Sequence, residues 1–346
     1  MSHTVFSTTW PPSTKSLFNP WLGPLNTTWP PHSNTAANLL RLVGKSPSAA
    51  IGRSNLDETQ GVSIATSGSA PAVPPDLAEA LSAEAARLAA QSGVVVPHLI
   101  AIDLTRNSRI QLHGAAPWGP GQDIASATVS IVDDAGTLVS HTLALVKFDD
   151  LDAAVTGVTI KSGELKAILV EAENPELSML WALSAVRTAV NDDKVKSLKW
   201  TCALVDATID IVSSIVHPLK HKLGVLRPSD SAGGWTQTVP DTLIDVPLYL
   251  AYPSGHATLM AALAVVLADL ARCDSADAAS LQAAARAIAK HREDAGLHTS
   301  IDSNAGLALG DALGRALLAA SGRVDRSGEL IYGLWTAALH MARAEW

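Results

Sequence analysis

From residue 174 to the end of the chain, apolar residues recur at three- and four-residue intervals, and this periodicity constrains the fold more than any other feature. The segment "NPELSMLWALSAVRTAV" opens with Asn174 as a cap, Pro175 at the first helical position and Glu176 after it, the order in which helix N-termini are built. Further helices are expected near 193–216, 255–272, 276–292, 300–321 and 327–345. Their apolar faces require one another, so this half reads as a helical bundle. A loop rich in Gly, Ser, Thr and Pro, residues 229–240, interrupts it.

The N-terminal half differs. Residues 1–74 form an arm rich in Pro, Ser, Thr and Asn, and Trp10, Trp21 and Trp29 give it side chains to pack on the body or around a partner subunit. A short helix is expected around 35–43 and another over "PPDLAEALSAEAARLAAQ", residues 74–91, which starts on proline and is followed by Gly93. Strand signals follow. "VVVPHLIAI" is short and apolar, and "ATVSIVDDAGTLVSHTLALVKF" alternates on both sides of "DDAG", the pattern of a hairpin. The expected organisation is an arm (1–74), an α+β part (75–173) and a bundle (174–346). The fold class is mainly α with a small β hairpin or sheet in the N-terminal half.

Charge and cysteine usage narrow the function. With 346 residues, the chain suffices for one large domain or two modest ones. A net charge of -8 argues against a general nucleic-acid or anionic-membrane surface and leaves room for a local basic pocket. Cys202 and Cys273 lie in apolar segments without metal-ligand spacing and read as thiols. No signal peptide is visible. The longest apolar run noted, after His256, breaks at Asp269 and is too short to span a bilayer. A cytoplasmic protein is expected.

Three clusters in the bundle carry chemistry. "KHKLGVLRP" places Lys220 and Arg227 seven apart, two turns of a helix, so both cations are expected on one face. Alone, this spacing is the mark of a solvated stripe. "AYPSGHATLM" puts Ser254, Gly255 and His256 where a helix begins. Free N–H groups and the dipole there favour an anion, and His256 stands beside it to give or take a proton; an ordinary Ser cap with a satisfied histidine fits the fragment equally well. "HREDAGLHTSID" holds Arg292, His298 and Asp302, with Gly296 breaking the preceding helix. His298 and Asp302, four apart, are expected to face each other, and by itself this is a helix-stabilising pair.

The order and spacing of all three clusters together resemble the signature of the type 2 phosphatidic acid phosphatase and vanadium-dependent haloperoxidase superfamily, over roughly residues 175–322. The resemblance implies a pocket for a tetrahedral oxyanion. Lys220, Arg227 and Arg292 would neutralise its oxygens, and Ser254 and the Gly255 N–H would hydrogen-bond them. His298 would be the apical ligand of vanadium or a nucleophile toward phosphorus, His256 the acid and base, and Asp302 the group that orients His298. The implied cofactor is vanadate, with phosphate able to take the same site.

The absence of spanning helices and of a leader, the long N-terminal extension and the form "AYPSGHAT" lean toward a soluble bacterial haloperoxidase acting on hydrogen peroxide, halide and a small organic substrate. A phosphomonoesterase working through a phosphohistidine is the alternative, and an inactive oxyanion-binding member the third reading. Relatives pair through helical faces, which extends the expectation of a homodimer here. The chain departs from the family pattern at His291, where serine is usual. It departs again at His217, where bacterial haloperoxidases often have tryptophan, and at Tyr249, where Phe or His is common. These three are candidate pocket-wall residues. Asp206 and Asp210 are candidates to reach His256 as outer carboxylates, although the polar faces of helices supply such acids routinely, and Trp181 and Trp200 read as core.

Overall fold

The computed structural model describes residues 96–106, 108–112, 126–143, 167–169, 171–172, 175–186, 198–228 and 250–346. Its elements in chain order are α1 (Val96–Thr105), β1 (Ser108–Leu112), β2 (Ala127–Asp133), β3 (Gly136–Leu143), α2 (Pro175–Val186), α3 (Lys199–Leu223), α4 (Gly255–Leu270), α5 (Ser275–Asp294), α6 (Ser300–Ala320) and α7 (Gly333–Arg343). The described part is mainly helical with one small three-stranded antiparallel sheet. The expected arm, the helices at 35–43 and 74–91, Tyr249 and the loop 229–240 lie outside the described residues.

The hairpin forms where "DDAG" placed it. β2 and β3 pair antiparallel with Asp133 opposite Gly136, and β1 adds to the other edge of β2. Ala127, Val129 and Ile131 are buried, so alternate residues of β2 face the core. Arg323, just beyond α6, clamps the hairpin to the bundle through a two-pronged pair with Asp133 at 2.8 and 2.9 Å.

One expected strand is a helix. "VVVPHLIAI" contributes to α1, not to the sheet. A short unbroken apolar run fits a buried strand or a helix equally. Here Pro97 sits in the first helical turn, where its missing N–H costs nothing. Ile100, Ala101 and Leu104 are buried while Ile102 is 61% exposed, which is helical periodicity. α1 packs on α3 and α7, and the Asp103 carboxylate accepts from the main-chain N–H of Leu334, in the first turn of α7, at 3.2 Å.

The longest described helix is α3, and it begins and ends later than the sequence pattern suggested. Residues Trp200–Leu223 are apolar enough, by length and composition, to cross a membrane, contrary to the expectation that no helix is. Most of the apolar part of this stretch is buried within the protein. It is a core helix of the bundle, packed by α1, α4 and α7. Glu345 caps its start, accepting from the N–H groups of Trp200 at 2.7 Å and Thr201 at 2.8 Å. Trp200 is buried as expected, and Cys202 and Cys273 are free thiols.

α4 and α6 make the closest helix pair. Gly306, Gly310 and Gly314 recur every four residues on α6 and leave room for the backbone of α4. A Cβ on Gly310 would lie 2.1 Å from the Thr258 carbonyl oxygen, and one on Gly306 2.5 Å from that of Ser254. Both obstacles are backbone and do not yield.

Two stability predictions follow from this packing. Gly310→Ala forces α4 and α6 apart and is expected to cost about 3 kcal/mol, the upper range for overpacking; urea unfolding checks it, and an unchanged midpoint contradicts the close contact. Glu176, in the first turn of α2, is fully buried, with neither carboxylate oxygen well bonded among the described residues. Burial pushes its pKa up to about 7, weakly opposed by its own main-chain N–H. The folded state therefore holds a proton that the unfolded chain releases, and stability falls as pH rises from about 4.5 to about 7. Glu176→Gln is expected to remove that decline and to stabilise the protein by about 3 kcal/mol at pH 8, measured by urea unfolding across pH.

Candidate oxyanion site

Each cluster reaches the site by a specific turn of the backbone. Lys220 is in the last turn of α3, and Gly224 ends that helix at φ 70, a conformation suited to glycine. Arg227 therefore lies beyond the helix in an extended segment. The expectation that both cations project from one helical face is wrong, because the Gly224 turn comes between them. They are nevertheless both buried, and each is tied to another motif. Lys220 Nζ donates to the carbonyls of Leu250 at 2.9 Å and Ala251 at 2.6 Å, just before "PSGH". Arg227 Nη1 donates to the Leu297 carbonyl at 2.7 Å, next to His298.

Ser254 caps α4, its hydroxyl accepting from Ala257 N–H at 3.4 Å. Gly255 and His256 are the first two helical residues, so their N–H groups have no intrahelical acceptor. The Ser254 N–H donates to the Asp302 carbonyl at 2.9 Å, which joins the second cluster to the third. α5 carries Arg292 in its last turn, and Gly296 at φ 82 reverses the chain as expected. His298 then stands immediately before Thr299, the cap of α6. Asp302 completes that cap: its Oδ2 accepts from Thr299 N–H at 2.7 Å. The same oxygen lies 3.5 Å from His298 Nδ1, a charge contact and not a well-formed hydrogen bond.

The electrostatics show how closely these groups meet. Burial, then the charges of Arg227, Lys220 and Arg292, hold His298 well below the usual histidine range. Burial, Arg292, His298 and Lys220 do the same to His256. Burial and Arg227 lower Lys220, opposed by Asp302, whose own carboxyl burial raises. Burial pushes Arg292 down to about 10, which leaves it a cation at neutral pH. His298 thus feels Arg227, Lys220 and Arg292, His256 feels Arg292 and Lys220, and Asp302 feels Lys220 and Arg227, with the Ser254 N–H bonded to the Asp302 carbonyl.

Arg292 is the most informative member. It is fully buried, and its Nη2 donates to the Ile168 carbonyl at 2.6 Å. Its Nε and Nη1 are buried with no partner among the described residues. Buried N–H donors need acceptors, and the oxygens of an anion are the acceptors a guanidinium bonds most strongly. Among the described residues no three or more His, Cys, Asp or Glu side chains converge as a metal-binding group. The convergent groups are cationic, which is the donor set of an anion site.

The other candidates fall differently. His291 lies beside Arg292 and bonds the Glu171 carboxylate through Nδ1 at 2.9 and 3.0 Å. His217 is half-buried on α3, one turn before Lys220. Asp210 does not reach His256; it pairs with His98 Nδ1 at 2.5 Å, on the face of α3 toward α1. Asp206 is buried on α3 near Cys202, whose thiol burial and then Asp206 push up. The acceptor at His256 is instead the main-chain carbonyl of Glu171, 3.2 Å from Nε2. Sequence reasoning missed Glu171, which stands outside the three clusters with no spacing to mark it. It also passed over Tyr252, buried beside "PSGH" and raised to about 12 by burial and the nearby Asp302.

Neither a model of a known protein family nor a curated protein matches the chain.

With both site histidines depressed, each is a neutral ring at pH 7. Below about pH 6.5 the unfolded chain takes up protons that His256 and His298 refuse, so the stability they contribute is lost as pH falls. In anion-free protein, ring resonances of His256 and His298 are expected at neutral-imidazole positions at pH 6. His291, raised by its bond to Glu171, is expected as imidazolium. A midpoint near 6.5 for either site histidine contradicts this.

Proposed function

We propose that this chain is a vanadate-dependent haloperoxidase, built on the helical bundle shared by vanadium haloperoxidases and acid phosphatases, which oxidises halide with hydrogen peroxide and so halogenates small organic substrates. The observation that carries the reading is the buried Arg292 guanidinium, whose Nε and Nη1 lack an acceptor among the described residues where Lys220, Arg227 and the α4 N-terminus also converge. The residues fit vanadate. Lys220, Arg227 and Arg292 would balance its negative oxygens, with the Ser254 hydroxyl and the Gly255 N–H as neutral donors.

His298 suits the ligand role. Its Nδ1 faces the Asp302 carboxylate, so the proton of the neutral ring belongs on Nδ1 and the lone pair on Nε2. His256 is set the other way. Its Nε2 faces a carbonyl, which can only accept, so its proton sits on Nε2 and its lone pair on Nδ1. A neutral ring fixed in one tautomer can take a proton at Nδ1 and return it. Bound vanadate would supply Lewis-acid activation of peroxide toward halide.

Phosphate-ester hydrolysis is the second reading. The same neutral His298, with Nε2 unprotonated, also suits a nucleophile toward phosphorus.

One assay separates these. Orthovanadate-loaded protein is expected to brominate a phenol-red indicator with peroxide and bromide, and vanadate-free protein is not. Hydrolysis of phenyl phosphate by vanadate-free protein, without halogenation in either form, replaces the first reading by the second. Binding of phosphate with neither activity leaves an inactive oxyanion binder. His298→Ala is expected to weaken vanadate retention by about 100-fold or more, read by dialysis and metal analysis; unchanged retention removes His298 as ligand.

A further inference from the structure

We propose that Glu171 is a positioning residue of the anion site, whose carboxylate, clamped by His291, fixes the Arg292 guanidinium so that its Nη1 donates to the anion. The inference rests on the oxyanion reading of the pocket and names a residue outside the three sequence clusters.

Glu171 lies on a helical segment formed by residues 167–169 and 171–172. Ile168 and Ala172, four apart on that segment, are buried against Ala295 and Leu297, which flank Gly296. This small apolar cluster, separate from the main core, seats the segment on the turn between α5 and α6. Polar groups of the segment then meet the pocket from one side. The Ile168 carbonyl takes Arg292 Nη2 at 2.6 Å, and Glu171 Oε2 lies 3.7 Å from the same nitrogen. His291 Nδ1 holds the Glu171 carboxylate at 2.9 Å. The Glu171 carbonyl faces His256 Nε2 at 3.2 Å.

The three guanidinium nitrogens of Arg292 are not equivalent. Nη2 is occupied by the segment, and Nε and Nη1 have no partner among the described residues. A guanidinium is planar, so fixing one nitrogen against a rigid backbone carbonyl and a carboxylate leaves little freedom for the other two. His291 stands next to Arg292 on α5. Its bond to Glu171 holds that carboxylate beside Arg292 Nη2. The same segment sets the orientation of His256, so one short piece of chain places a cation and a base together.

The sign of the effect makes the proposal testable. A carboxylate near a cation opposes anion binding through space, so loss of its charge alone tightens binding. A positioning role predicts the reverse. Titration calorimetry of the full chain with inorganic phosphate and with orthovanadate reads the difference. Glu171→Ala is expected to raise the Kd about tenfold, the worth of one well-aimed hydrogen bond to a charged group. Glu171→Gln keeps the shape and an acceptor for His291 and is expected to stay within about threefold of the unaltered chain.

Tighter or equal binding by Glu171→Ala overturns the proposal. No binding by the unaltered chain overturns the oxyanion reading itself, a distinct result. If Glu171→Ala does not fold, His291→Ala carries the test. It is expected to weaken binding about threefold, and His291→Gln, which can still donate to Glu171, to restore it. Equal Kd values for the His291 variants and the unaltered chain overturn the clamp.

Discussion

The site depends on how near α4 comes to α6. The approach is set by glycines at positions 306, 310 and 314, which put helix backbone against helix backbone. Helices with ordinary side chains at a contact lie about 8–10 Å apart, and the absent side chains here allow a closer pair. The consequence is chemical. With Gly306 against the Ser254 carbonyl, the start of α4 and the start of α6 lie side by side, and the Ser254 N–H reaches the Asp302 carbonyl. Two helix N-termini then point their partial positive charge into the same region. Ser254, Gly255 and His256 arrive with one helix, His298 and Asp302 with the other.

Around that junction three basic side chains, Lys220, Arg227 and Arg292, are buried, with Asp302 and Glu171 among the acids near them. Removing three cations from water is costly unless each finds partners. Main-chain carbonyls of Leu250, Ala251, Leu297 and Ile168 provide part of that compensation. Carbonyls solvate a cation without cancelling its charge, so the field remains available to an anion. Burial first, and then the charges of the basic side chains, hold both histidines below the usual range, so their rings are neutral with lone pairs available for ligation or proton transfer. Cation placement and histidine reactivity are therefore one design.

Much of this was legible in the sequence, for identifiable reasons. Helix starts carry local signals: Pro175, Ser254 and the Thr299–Asp302 box fall where capping chemistry puts them. The hairpin at Asp133–Gly136 is likewise local. What failed was geometry that depends on tertiary partners. The run over Val96–Thr105 is apolar enough for either element, and only packing on α3 and α7 decides for helix. Lys220 and Arg227 meet through a left-handed turn at Gly224, which a helical-face argument overlooks. Asp210 belongs to His98, from an element whose position the sequence does not disclose. The four-residue repeat of glycine on α6 was visible, but its meaning required the facing helix.

Glu171 shows the same limit from the functional side. It lies 120 residues before His291, and no spacing rule links a carboxylate to a guanidinium at that separation. What links them is the apolar contact of Ile168 and Ala172 with Ala295 and Leu297. A motif records the groups that touch an anion because those groups share its chemistry. The groups that hold a cation at the right angle need only be acceptors, and many residues, including the backbone, can accept. The His291–Glu171 pair provides such a polar anchor beside Arg292, and Glu171 does so from a segment that shares no sequence cluster with the cation it holds.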